Sequence, residues 1–86
     1  MMIQVTSETS QTIGDTEYCY TELSTDKKSI LVTVAKGSDA HVRVVVQNAA
    51  HRVWRGAGKR FATLADAIAN YKSDDVKAML ETLVTV

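Results

Sequence analysis

The sequence predicts an α+β fold, an antiparallel β-meander of four to five strands followed by a C-terminal helix or helix pair. Between Thr16 and Gln47, β-branched and aromatic residues recur at period two, the repeat of a strand with distinct faces. Polar turn clusters at Thr25–Lys28 and Lys36–Asp39 cut this stretch into successive hairpins. From Thr63 onward the apolar period lengthens to about 3.6 residues, as in an amphipathic helix. Strands joined by short turns pair antiparallel, and the helical stripe must bury itself on one side of the sheet.

Taken in order, residues 2–6 alternate and predict a short first strand, with Ile3 and Val5 on one face. Residues 7–15 are polar, end in Gly14-Asp15 and read as a turn-rich loop. In the strand from Thr16 to Ser24, Tyr18 and Tyr20 share one face, and Cys19, Thr21 and Leu23 the other. The next strand runs from Ser29 to Ala35, and the following one places Val42, Val44 and Val46 opposite Arg43, Val45 and Gln47. Asn48-Ala49 is expected to close a further hairpin, with Ala50 to Arg55 as the return strand. Gly56-Ala57-Gly58 suits a tight turn with positive φ, followed by a short extended piece at Arg60-Phe61. Thr63 with Asp66 three residues on resembles a capping box, and Leu64, Ala67, Ile68 and Tyr71 form a helical stripe. Ser73 offers a second N-cap, Asp74 and Asp75 suit the positive end of a new helix, and Val76, Met79, Leu80 and Leu83 continue the apolar face. The reading is two short helices with a break near Lys72-Ser73, with one long helix as the alternative.

At 86 residues the chain is expected to form a single domain spanning 1–86. A chain of this length buries only roughly 60–65% of its unfolded surface, which leaves a thin core and little room for a deep catalytic cleft. A single cysteine, Cys19, makes no internal disulfide, so packing alone must hold the fold. The N-terminal residues have neither the basic start nor the apolar run of a signal peptide, and the expected location is cytoplasmic. Net charge is zero but unevenly placed: residues 1–40 carry three lysines against six acids, and residues 41–86 carry seven cations against four acids. Such a chain presents a basic region despite its neutral total.

Several chemistries are disfavoured. A Walker A loop at Gly58-Lys59 needs glycine where Val53 stands and Ser or Thr where Arg60 stands, and a dinucleotide fingerprint needs glycine at Phe61. One cysteine and two histidines are too few for a structural zinc site. Cys19 with His41 or His51 is formally a nucleophile pair, but Cys19 lies in a strand pattern and reads as a small packed hydrophobe. The expectation is a protein that is not an enzyme and uses no cofactor, metal, small-molecule substrate or membrane.

Binding chemistry is better supported. The strand at 29–35 is apolar on both faces, with Ile30, Val32 and Val34 on one and Leu31, Thr33 and Ala35 on the other; Val45 adds to the second face. A helix pair covers one side only. Either the N-terminal loop crosses the second face, or that face meets a partner or a second copy, with Leu31, Thr33 and Val45 as the contact residues. The segment from Ala40 to Thr63 holds five cations and both histidines with no acid among them. Arg43, Arg52, Trp54, Arg55, Lys59 and Arg60 are therefore the candidate binding residues. They suit phosphates and stacked bases if Trp54 faces outward, and an acidic protein surface equally well. If Trp54 instead belongs to the core, His51 and Arg55 face outward. Acids at Glu8, Asp15, Glu17, Glu22 and Asp26 offer a second option, an edge that imitates phosphate toward a basic groove.

Residues 52–71 (RVWRGAGKRFATLADAIANY) loosely resemble the strand–turn–strand, F-x-T-x-x-x-A, helix pattern of the arm-binding domains of tyrosine integrases, with Phe61, Thr63 and Ala67 matching. That resemblance implies a sheet face as the reading surface for DNA. As a small, neutral, cysteine-poor chain, the protein is also similar in type to accessory proteins of phages and plasmids such as anti-CRISPR proteins. That similarity implies a protein partner, often a nucleic-acid-handling complex. The leading expectation is a module that binds a protein partner as inhibitor or regulator, with direct DNA or RNA binding through a basic sheet face as the alternative.

Overall fold

In the computed structural model, which describes residues 2–51 and 53–84, five strands precede two helices. The strands are β1 (Gln4–Ile13), β2 (Thr16–Ser24), β3 (Lys28–Lys36), β4 (His41–Asn48) and β5 (Lys59–Phe61). The helices are α1 (Leu64–Asn70) and α2 (Asp74–Val84). Sheet order equals chain order, β1-β2-β3-β4-β5, and every neighbouring pair is antiparallel. The α+β meander with a C-terminal helix pair is therefore the observed fold. Among the described residues, no helix is long and apolar enough to cross a membrane.

The register explains where the core sits. Ile30 lies opposite Val46, Val32 opposite Val44 and Val34 opposite Val42, so the apolar face of β3 meets that of β4. Leu23 extends this layer on β2 and Phe61 extends it on β5. The helices lay Ala67, Val76, Met79 and Leu80 onto the same face, all buried. Each fully buried aliphatic side chain contributes about 1.5–3 kcal/mol relative to exposure, so this layer is the main stabilising element.

Local signals set the helix boundaries. The Thr63 hydroxyl accepts a hydrogen bond from the Asp66 backbone N–H at 3.1 Å and starts α1. Tyr71 turns extended (φ −89°, ψ 142°) and stops it, so the reading of two short helices agrees with the structure. The Tyr71 ring meets Phe61 edge-on at 5.9 Å, and burial pushes its phenol pKa upward. Asp74 and Asp75 occupy the first turn of α2. The Thr25 hydroxyl donates to Asp75 Oδ2 at 3.1 Å, tying the β2–β3 turn to the start of that helix.

Two sequence expectations are corrected. The first strand is not confined to 2–6, because the supposed loop at 7–15 continues β1 to Ile13 and pairs with β2 over its whole length, with one irregularity between Val5 and Ser7. As an outer strand with little burial on either face, β1 has no apolar alternation to reveal it. Nor do the described residues of 50–55, the expected return strand, pair with the sheet: β4 ends at Asn48, and the next strand, β5, begins at Lys59 and pairs with Val42–Val44.

Candidate functional site

Both helices pack on one side of the sheet, and the register assigns the side chains of the other side. Alternation from the buried Leu23, Ile30 and Val44 places Tyr18, Tyr20 and Glu22, then Leu31, Thr33 and Ala35, then His41, Arg43 and Val45, on the helix-free face. One row crosses all five strands there: Thr9, Tyr20, Thr33, Arg43 and Arg60 stand opposite one another in turn.

The aromatic part of this face is ordered. Tyr18 and Tyr20 lie near-parallel, with ring centroids 6.5 Å apart and planes 14° off. Gln11 donates from Nε2 to the Tyr20 hydroxyl at 2.8 Å. Tyr18 meets His41 edge-on at 6.4 Å, and His41 is buried with Nδ1 2.7 Å from the Asp39 carbonyl oxygen. Arg60 Nη2 pairs with Asp39 Oδ1 at 2.8 Å, and this bond holds the Asp39 carboxyl below the ordinary aspartate range. Arg43, half-buried between Thr33 and Arg60, has no ion-pair partner among the described residues.

The described residues between Asn48 and Lys59 bear on the apolar patch of the same face. Trp54 Nε1 donates to Glu22 Oε1 at 2.6 Å, although Glu22 stands on β2, two strands away from the point where the segment departs. That reach is about 10 Å across the sheet, over the Leu31–Val45 pair that neighbours Glu22. Gly58 anchors the near end, with its Cα hard against β4: a methyl group there would fall 2.7 Å from Val45 Cγ2 and collide with the Val44 carbonyl. Val45 is accordingly only 9% exposed. The segment thus shields Val45 in cis, whereas Leu31 and Thr33 stay partly exposed, and residues 7–13, paired into the sheet as β1, do not cross the face. Trp54 belongs neither to the helix-side core nor to a return strand; it is a half-buried strap residue.

The candidate cations separate. Arg43 and Arg60 are cross-strand neighbours on the helix-free face. Lys59, adjacent in the strand, points the opposite way, bonding Asn70 Oδ1 at 2.9 Å and lying 5.7 Å from the Phe61 ring centroid. A single basic stripe through Lys59 and Arg60 is therefore excluded by strand alternation. Arg55 is exposed in the strap, and Arg52 lies outside the described residues. The five acids also disperse. Asp15 and Asp26 sit at opposite ends of β2, and Glu8 and Glu17 share the helix side while Glu22 holds the strap. Asp15 accepts from Ser38 and Thr16, which lowers its pKa.

Cys19 lies on the helix side, facing away from His41, and half-exposed rather than packed in the core. It lines a cleft of about 620 Å³ beside Thr21, Val34, Leu64 and Leu83, where the helices stop short of β1. Among the described residues, no three His, Cys, Asp or Glu side chains converge to hold a metal ion. The Trp54–Glu22 strap and the Tyr18–Tyr20 pair are the site features missed at the level of sequence. Period-two spacing signals the tyrosines, whereas nothing in the sequence pairs residues 22 and 54. Comparison with protein-family models, curated proteins and solved structures finds no match for this chain.

Proposed function

We propose that this chain is a non-enzymatic binding module that docks a protein partner on the helix-free face of its sheet and acts as a regulator or inhibitor of that partner. The observation that carries this reading is the gathering of Tyr18, Tyr20, Arg43, Arg60 and Trp54 on one face with no helix over it. Tyr, Trp and Arg are the side chains that dominate protein–protein hot spots: Tyr and Trp bury much area at low entropic cost, and Arg adds charge-assisted hydrogen bonds. Arg43 is half-buried and forms no salt bridge among the described residues, so a partner carboxylate placed over it would gain a charge-assisted bond at small further desolvation.

The charge pattern ranks the alternatives. On this face Arg43 and Arg60 are offset by Glu22 and Asp39, both of which are already partnered within the chain. A phosphate backbone rewards net positive charge, whereas a protein surface does not require it. Single-stranded nucleic acid remains the second reading, favoured by the row in which Tyr20 stands beside Thr33, Arg43 and Arg60.

A photo-reactive phenylalanine analogue at position 18, compared with one at exposed Glu81 on α2, tests the primary reading. A discrete protein adduct from position 18 that is lost with Arg43→Glu is the expected result. Equal labelling from both positions would overturn it. Titration with labelled oligonucleotides at low and moderate salt decides the second reading, because binding that weakens steeply with salt and needs Arg43 belongs to nucleic acid.

A further inference from the structure

β1 is an outer strand of ten residues, paired on one edge only, and nine of the ten are exposed. Natural outer strands are commonly protected by lysine, proline, a covering helix or shortness. β5, at the other edge, is three residues long and continues through Ala62 and Thr63 into α1. β1 has neither lysine nor proline, and its single charge is Glu8. Its irregularity lies between Val5 and Ser7, near one end, which leaves Ser7–Ile13 as an unbroken ladder. Among the described residues, the exposed large apolar side chains Met2 (73%), Val5 (49%) and Ile13 (60%) also belong to β1 or its lead-in.

We propose that β1 is a homodimerisation edge, where it pairs antiparallel with β1 of a second copy of this chain to make one ten-stranded sheet. The stretch Ser7–Ile13 is self-complementary about Ser10. With Ser10 opposite its own counterpart, Gln11 meets Thr9, Thr12 meets Glu8 and Ile13 meets Ser7. Directly opposite residues in an antiparallel pair share a face, and this register keeps both helix layers on one side. It also keeps the two Glu8 carboxylates from facing each other, which a register centred on Glu8 would impose at a cost. The unpaired backbone groups of β1 and its Thr, Ser and Gln side chains then find partners of their own kind. This inference is independent of the partner reading above; where both hold, the two helix-free faces become one continuous surface with two tyrosine pairs.

Sedimentation of the full chain from low to high micromolar concentration tests it, since an edge pairing of this size belongs with small, reversible interfaces. A monomer–dimer equilibrium is expected. Ser10→Lys places like charges opposite each other at the two-fold and weakens that equilibrium roughly fivefold or more. Ser10→Cys, made together with Cys19→Ser because Cys19 is the cross-strand neighbour of Ser10, forms an interchain disulfide under mild oxidation with oxidised glutathione. A chain that stays monomeric throughout, as expected if this edge serves only a strand from another protein, overturns the proposal. A dimer indifferent to Ser10→Lys and without the Ser10→Cys cross-link overturns it equally.

Discussion

β1 and β4 are of similar length, ten and eight residues, but β1 is exposed almost throughout and β4 is largely buried. β4 buries side chains toward both sides: the helices lie below Val42 and Val44, and on the other side, where His41 is also buried, the strap anchored at Gly58 and Trp54 crosses beside Val45. β1 is largely polar and lies uncovered on both sides, its contacts being almost all with β2 along its whole length. Two neighbourhoods therefore share one sheet. Side chains hold the inner one together, while the outer one depends on main-chain pairing and its Thr and Ser residues. The strand with the poorer sequence signal is the one free to meet another chain.

The largest test of this contrast is a pair of truncations. Ile30→Ala empties a fully buried position at the centre of β3, and an apolar deletion of that kind costs about 2–5 kcal/mol, read from urea unfolding. Thr9→Ala on exposed β1 is expected to change stability by about 0.5 kcal/mol or less. Equal losses would show that the outer hairpin carries as much of the fold as the core.

The strap can be probed with its glycines. Gly56 (φ 76°) and Gly58 (φ 78°) are both left-handed, so alanine strains each backbone by about 1–2 kcal/mol. Only at Gly58 does the added methyl meet Val44 and Val45; at Gly56 nothing lies within 4 Å. Gly58→Ala should therefore lower the melting temperature more than Gly56→Ala, and the difference measures how tightly the strap sits on β4. A smaller effect comes from Glu22→Gln, which removes the charge from the bond to Trp54 and leaves the side chain its size. Because Trp54 is the only tryptophan, its emission should move to longer wavelength as the strap loosens.

The smallest effect concerns acid. The folded-state pKa of Asp39 is depressed by Arg60, so the stability this pair supplies is complete above the ordinary value of 3.8 and disappears as pH falls through the lowered one. Asp39→Asn should flatten that part of the acid-unfolding curve. The pair is solvent-exposed, and the change should shrink further at high salt.

Legibility in the sequence follows the same division. β2, β3 and β4 show themselves through period-two spacing between turn clusters, and the helices through Thr63, Asp74 and Asp75 ahead of apolar stripes. β1 does not, because outside the core its Ser, Thr, Gln and Glu residues read as a loop. The strap hides for another reason: a bond between residues 22 and 54 depends on where a loop folds back, which no local period encodes. Lys59 and Arg60 were separable in principle, since consecutive residues of a strand point to opposite faces.

Chain-order pairing has a kinetic consequence. Each of the first three strand junctions closes through a short turn, so most of the sheet assembles at little loop-closure entropy. Only β5 must wait for the ten-residue excursion between Asn48 and Lys59 to return, and with it the helices that follow. Short loop closures of this kind favour faster refolding than a sheet built from distant strands would allow. During synthesis the β1–β2 hairpin leaves the ribosome before any of the helix layer exists, and its polar residues suit it to that interval in water.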